Sequence, residues 1–129
     1  MAGYVTNIEQ KTLENANFRE VLFTAKNIQL VVMSLKAGEE IGEEVHALDQ
    51  FIRIEAGGGK AVLNGEEHSL TDGSIVVIPQ GTRHNIINTG SGDLKLYTLY
   101  APPEHKNGTI HATKADALEN EEHFDGETS

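Results

Sequence analysis

Short apolar runs, separated by turn-forming residues, recur along most of the chain. Glycine, proline, Asn-Gly and Asp-Gly signals follow one another at short spacing between residues 38 and 103. Strands alternate their side chains between two faces and end at such signals, so this pattern is typical of an all-β sandwich or barrel. It predicts strands at 19–24, 28–35, 43–47, 50–56, 60–63, 66–70, 75–78, 84–88 and 94–100.

One hairpin and one short helix can be placed from their local sequence. Asn64-Gly65 suits a type I′ turn between two of these strands, because both residues tolerate positive φ. Near the start of the chain, Thr6-Asn-Ile-Glu9 resembles a capping box. A short helix is therefore predicted before the first strand, and Asn15 should stop it early.

The segment 73–88 carries the clearest chemical signal. Its apolar strand must end at Pro79, which offers no amide to a ladder, and Gly81 lets the chain reverse. His84 then lies early on the next strand, and Ile86 shares its face because side chains alternate. The histidine can therefore point into the barrel.

This segment follows the pattern G-x5-P-x-G-x2-H-x3-N, which resembles the second signature motif of the cupin superfamily. All five fixed positions are matched, by Gly73, Pro79, Gly81, His84 and Asn88. The resemblance implies a jelly-roll-like, double-stranded β-barrel. It extends over about residues 28–101 and therefore covers the central part of the chain.

The first cupin motif, G-x5-H-x-H-x3-E-x6-G, is matched in part by residues 38–57. Its first histidine position holds Glu44, its second holds His46, and its glutamate position holds Gln50. The resemblance thus divides the chain into three parts. These are an N-terminal extension with the first strand (1–27), a single cupin barrel (28–101), and a C-terminal segment with an acidic, partly disordered tail (102–129).

The ligand set that the resemblance implies is Glu44, His46, Gln50 and His84. Most metal-binding cupins use three histidines and a glutamate, so here a carboxylate occupies a histidine position and an amide the glutamate position. Without the amide, two histidines and one carboxylate resemble the ligands of non-haem iron(II) oxygenases. The expected cofactor is a divalent transition metal, with iron, manganese, nickel and zinc all open.

Two of these residues have other interpretations. Glu44 belongs to an acidic run that begins at Glu39, and such runs are commonly solvated surface. Gln50 could instead orient a ligand or a bound water. The alternation of side chains along a strand favours metal binding by Glu44, because Glu44 and His46 share one face of their predicted strand. Burying that carboxylate without compensation would be costly, and a divalent cation is the simplest compensation.

Two functional classes follow from the resemblance. In the first, the protein is an enzyme that acts on a small molecule through the metal, by dioxygenase or by isomerase or lyase chemistry. Glu44 is then the candidate catalytic residue, as general base if it dissociates from the metal. In the second, the domain binds a metal or a small ligand such as a sugar without turnover. Fold and ligands do not choose between these classes.

Other polar residues have surface or cavity interpretations. His105 and His111 follow the last predicted core strand and are expected to be exposed loop histidines, the alternative being a lid or a second metal site. Arg83 is expected in a surface ion pair, although it could reach an anionic substrate at the rim. Tyr97 and Tyr100 have opposite parity, so at most one faces the cavity.

Composition and charge narrow the possible partners. The 129 residues suffice for one domain, and the absence of cysteine excludes disulfides and thiolate ligands. A net charge of −10 argues against nucleic acid or an anionic membrane surface as partner. The start resembles no signal peptide and no apolar run is of membrane-spanning length, so a cytoplasmic protein is expected.

The acidic charge is concentrated at the C-terminal end. Residues 114–129 hold six acidic residues and one basic residue, Lys114. This segment therefore carries half of the net charge of the chain. One helical turn is expected at 114–118 and disorder beyond Leu118, because few apolar residues remain there to be buried.

Apolar residues lie on both faces of the strands at 28–35 and 75–78. One small barrel cannot bury both faces, so a homodimer with two-fold symmetry is expected.

Overall fold

Strand alternation and turns determine the elements of the barrel. A computed structural model describes residues 2–129. In chain order its elements are α1 (Ile8–Glu14), β1 (Arg19–Thr24), β2 (Gln29–Leu35), β3 (Asp49–Ala56), β4 (Gly59–Leu63), β5 (Glu66–Leu70), β6 (Ile75–Ile78), β7 (His84–Asn88), β8 (Leu94–Ala101), β9 (Ile110–His111) and α2 (Lys114–Glu119).

Two antiparallel sheets enclose the core. The larger sheet has the strand order β6-β3-β8-β2-β1-β9, and the smaller has the order β5-β4-β7. Alternate positions of β3, β7 and β8 are buried, as expected for strands with one face on a core. Fully buried side chains such as Met33, Ile52 and Leu96 fill the space between the sheets. The all-β, jelly-roll-like fold predicted from the sequence is therefore confirmed.

Eight of the nine predicted strands are present, with ends within one residue of the predicted ones. The predicted hairpin between β4 and β5 is also confirmed. Asn64 and Gly65 have φ of 49° and 84°, so both lie in the left-handed region that a type I′ turn requires.

The predicted strand at 43–47 is wrong. Of residues 43–47 only Glu44 pairs with β7, at an isolated bridge to His84, and a second isolated bridge joins Glu40 to Ile87 earlier in the same connection. Between the two bridges the connection advances four residues, from Glu40 to Glu44, whereas β7 advances three, from Ile87 to His84. The connection therefore contains one extra residue, which interrupts the ladder. Gly42 accommodates it with a φ of +111°. Alternation in the sequence does not reveal such an insertion.

Both predicted helices are present, but the N-cap residue of α1 differs from the predicted one. α1 begins after Asn7, whose side chain accepts a hydrogen bond from the Gln10 N–H, so the cap is not Thr6 as the capping-box pattern predicted. It ends at Asn15 as expected. No helix among the described residues is long and apolar enough to cross a membrane.

Beyond Leu118 the chain has defined contacts with the barrel, and the partial disorder expected there stays a prediction. After α2 the chain returns along the rim of the barrel, where the Phe124 N–H donates to the Glu104 carbonyl at 2.9 Å. The carboxylate of Glu122 accepts a bond from the Lys106 N–H at 2.9 Å. Acidic composition suggested a solvated tail, but these contacts give its polar groups partners on the barrel.

Candidate metal centre

Three side chains with metal-binding atoms converge at one end of the barrel. Glu44 and His46 lie in the connection between β2 and β3, and His84 is the first residue of β7. Each offers one donor atom, and these atoms lie within 4.8 Å of one another. Reciprocal backbone bonds between Glu44 and His84, at 2.8 and 2.9 Å, fix the two segments side by side.

The ring of His84 is oriented by the backbone. Its Nδ1 lies 2.9 Å from the Thr82 carbonyl oxygen, which can only accept, so Nδ1 carries the hydrogen. The other nitrogen, Nε2, is then a free acceptor, and it is buried with no hydrogen-bond partner. A neutral imidazole held in this way is ready to bind a metal through Nε2.

His46 lies between two carboxylates, with 10% of its side chain exposed. Its Nε2 is 3.7 Å from the Glu44 carboxylate and its Nδ1 is 3.6 Å from that of Glu104. Burial lowers the pKa of His46, and although Glu104 raises it, the charges of His84 and His105 lower it further. The net shift favours the neutral ring, whose lone pair a metal requires.

Gln50, the second residue of β3, is 5% exposed and faces inward. Its amide nitrogen donates to the Thr98 hydroxyl at 3.0 Å. Its oxygen is buried with no partner. Because the nitrogen is engaged, the free group is the oxygen, which is a hard donor suited to divalent cations.

These groups fit a divalent transition metal. Two imidazole nitrogens and one carboxylate lie close together, and both His84 and Gln50 leave a buried acceptor unpaired. Glu44 is the most accessible of the set, with 38% of its side chain exposed. A His and Glu cluster able to hold a metal is therefore present.

A cavity of about 160 Å³ opens beside Glu44. The barrel contributes part of its wall, and the C-terminal segment contributes the rest. The lining residues are Phe18, Arg19, Ile41, Glu44, Glu104, His105, Lys114, Ala117, Leu118, Glu121, Glu122 and His123.

The expectation that His105 and His111 are exposed is wrong, since they are only 7% and 5% exposed. His105 Nδ1 is 3.0 Å from the Glu122 carboxylate, and His111 lies on β9, which pairs with β1. Neither belongs to the cluster of donor atoms found among residues 2–129. A two-residue strand that pairs with residues 90 or more positions away leaves no periodic signal in the sequence.

The remaining predictions on polar side chains can now be placed. Arg83 is exposed and its Nε lies 3.3 Å from Glu43, so the surface ion pair is confirmed. Tyr100 faces the interior, edge-on to His46 at 6.1 Å between ring centroids, whereas Tyr97 packs near Phe51. Burial raises the pKa of Tyr100, so its hydroxyl stays protonated at neutral pH.

Sequence reasoning missed two residues of this region, Glu104 and Arg19. Glu104 approaches His46 from a loop beyond the last core strand, where the sequence has no pattern that predicts this contact. Arg19 has the same parity on β1 as the buried Val21, and that parity could have shown that it faces inward.

Known proteins resemble this chain in both sequence and fold. The family model Cupin_2, described as a cupin domain, matches residues 31–100. The uncharacterized protein YrkC of Bacillus subtilis (strain 168) is 48% identical over an alignment of 122 positions that covers 89% of this chain. The alignment covers 66% of the relative, so this chain spans just under two thirds of its length.

Solved structures agree with this result. BH2720 from Bacillus halodurans is 43% identical, with a TM-score of 0.89 over 91% of this chain and 94% of its own. A predicted oxalate decarboxylase from Thermotoga maritima is 26% identical, with a TM-score of 0.56 over 59% of this chain and 67% of its own. The family match covers the central strands and both motif segments, and the chain therefore belongs to the Cupin_2 family of cupin domains.

Proposed function

We propose that this cupin acts on a small molecule through a divalent transition metal held by Glu44, His46, Gln50 and His84. The observation that carries the proposal is the pair of buried, unpartnered acceptors, His84 Nε2 and Gln50 Oε1. Each unpaired buried acceptor costs on the order of 1–3 kcal/mol. A cation that takes both lone pairs removes this cost.

The metal would supply Lewis acidity toward a substrate oxygen, or a binding centre for dioxygen. The protein's own residues prepare the site. The Thr82 carbonyl orients the His84 ring, the Glu104 carboxylate lies 3.6 Å from His46 Nδ1, and the Thr98 hydroxyl holds the Gln50 amide. Glu44 lines the cavity and is the only carboxylate in the donor cluster. We assign it to take a proton from the bound molecule, as general base.

Metal content tests the centre directly. Protein purified without a metal-affinity tag and reconstituted separately with Fe(II), Mn(II), Ni(II) and Zn(II) should retain about one equivalent of at least one metal. His84→Ala should lose it while keeping the circular dichroism spectrum of the wild type. His68→Ala is the matched control, because that side chain is 47% exposed, lies beside Glu66 and is outside both the cluster and the cavity. Less than about 0.1 equivalent after reconstitution would contradict the proposal.

Turnover separates an enzyme from the non-catalytic binding module that the sequence also allows. Oxygen consumption by the Fe(II) form with diketones, flavonols, thiols and catechols tests the dioxygenase class. Proton exchange or isomerisation followed by NMR tests the isomerase and lyase class. The similarity to a predicted oxalate decarboxylase supports adding small organic acids to the panel. If Glu44 is the base, Glu44→Gln should lose turnover by about 10²-fold or more.

A further inference from the structure

Arg19 is a buried cation without a carboxylate partner. It is 8% exposed, and its Nε is buried with no hydrogen-bond partner. Among residues 2–129, no carboxylate oxygen lies within 4 Å of its guanidinium. Arginine cannot lose its proton inside a protein, so this charge is permanent.

The contacts that Arg19 does make are to neutral groups. One guanidinium nitrogen lies 3.2 Å from His111 Nδ1, and the charge lies over the Phe18 ring at 5.3 Å. Because a guanidinium only donates, His111 Nδ1 must accept, and its Nε2–H donates to the Asn120 carbonyl at 3.1 Å. These contacts orient Arg19 but bring no negative charge to it.

The acidic side chains nearby are engaged with other groups. Glu122 binds His105 Nδ1 and the Lys106 N–H. Glu104 lies between His46 and His123, at 3.6 and 3.4 Å. No carboxylate therefore pairs directly with Arg19, although its charge helps to lower the pKa of Glu122, and a buried ion without a direct partner is unfavourable.

The position of Arg19 connects it with the candidate metal centre. It lines the same cavity as Glu44. A dry cavity of about 150 Å³ accommodates a benzene molecule, so a volume of about 160 Å³ suits a ligand of roughly six to ten non-hydrogen atoms.

We propose that Arg19 is an anion subsite and that the ligand of this cavity is a small organic acid. Its carboxylate pairs with the planar fork of the guanidinium, and its second oxygen group faces Glu44 and the metal. The contact with Glu44 and the metal rests on the proposed function, whereas the pairing of the carboxylate with Arg19 does not. The acidic neighbours Glu104 and Glu122 favour a singly charged carboxylate over a doubly charged phosphate.

Calorimetric titration tests the subsite with pairs of probes that differ only in charge. The probes are pyruvate, 3-hydroxybutyrate and levulinate, each compared with its primary amide, on metal-free and Ni(II)-loaded protein. At least one acid should bind about ten-fold or more tightly than its amide, and Arg19→Gln should abolish that preference. Arg19→Lys keeps the positive charge without the planar guanidinium and should restore part of the preference for the acid. Arg83→Gln, an exposed arginine outside the cavity, should leave it unchanged.

Three results would overturn the proposal: no acid binds the wild type, acid and amide bind equally, or Arg19→Gln retains the preference. If the wild type holds no metal, the proposed function fails, but the acid preference of the metal-free protein still decides the role of Arg19. Thermal unfolding supplies a second measurement. Arg19→Gln should unfold at a temperature no lower than the wild type without ligand, since it removes an uncompensated charge. A large decrease would instead assign Arg19 to holding His111 and β9.

Discussion

At the scale of single residues, the candidate centre is organised by groups that bind no metal themselves. Thr82 and Glu104 each engage the Nδ1 side of a histidine, and Thr98 engages the amide nitrogen of Gln50. Such partners fix which atom of a ligand is free. They also explain how a glutamine can occupy a position where most metal-binding cupins have a glutamate.

We therefore predict that Thr98→Val weakens metal binding although Thr98 is not a proposed ligand. Without the hydroxyl, the Gln50 amide can rotate and its oxygen is no longer held free, so affinity should fall about 10–100-fold. Competition with a chromophoric chelator measures this change. Thr109→Val, a hydroxyl on the C-terminal segment outside the centre, should bind metal like the wild type. Equal affinity in Thr98→Val would show that Gln50 does not bind the metal.

The candidate ligands were predictable because the motif spacing identifies them and strand parity places Glu44 with His46. The parity argument reached this result although residues 43–47 form no strand. Within the connection between β2 and β3, Glu40 and Glu44 form isolated bridges to β7, and the extra residue lies between them. The partners Thr82, Thr98 and Glu104 could not be predicted, because their contacts depend on strand register and loop path.

At the scale of elements, the C-terminal segment is the part that sequence composition described least well. Its acidic residues suggested a solvated tail, yet Glu122 is largely buried against His105. Burial alone would raise the pKa of Glu122, but the bonds from His105 and the Lys106 N–H lower it by more, so the net shift is downward. A carboxyl with a lowered pKa stabilises the folded state above the pKa that it has when unfolded.

This contribution should disappear in acid. At pH 7, Glu122→Gln should lower the free energy of unfolding by about 1–3 kcal/mol, as expected for a hydrogen bond to a charged group. The difference from wild type should hold above the ordinary glutamate pKa of about 4.3 and should disappear as the pH falls through the lowered pKa of the folded state. Urea titrations across this range measure it. Glu121→Gln, at an exposed neighbouring position, should show no such dependence. A difference that persists at pH 3 would contradict the assignment.

At the scale of the whole molecule, a row of apolar side chains crosses the outer face of the larger sheet. Paired positions on five adjacent strands carry it: Val77, Phe51, Leu99, Leu30 and Phe23. Val77 at its end is 59% exposed. The homodimer expected from the sequence stays a prediction, and this row supplies a face for it.

Light scattering coupled to gel filtration would decide the oligomeric state. The wild type should have twice the mass of one 14.0 kDa chain. Val77→Lys should shift it to a single chain, because a lysine at the end of the row would be desolvated in the interface. Val45→Lys, at an exposed position away from the row, should leave the dimer intact. A wild type of one-chain mass would contradict the prediction. The cytoplasmic location also stays a prediction.

Glu104 contacts both the candidate metal centre and the C-terminal end of the chain. Its carboxylate faces His46 and His123, and its carbonyl accepts the Phe124 N–H. Coupling of this kind is thermodynamically reciprocal. If metal binding strengthens the docking of the last residues of the chain, that docking must strengthen metal binding by the same free energy.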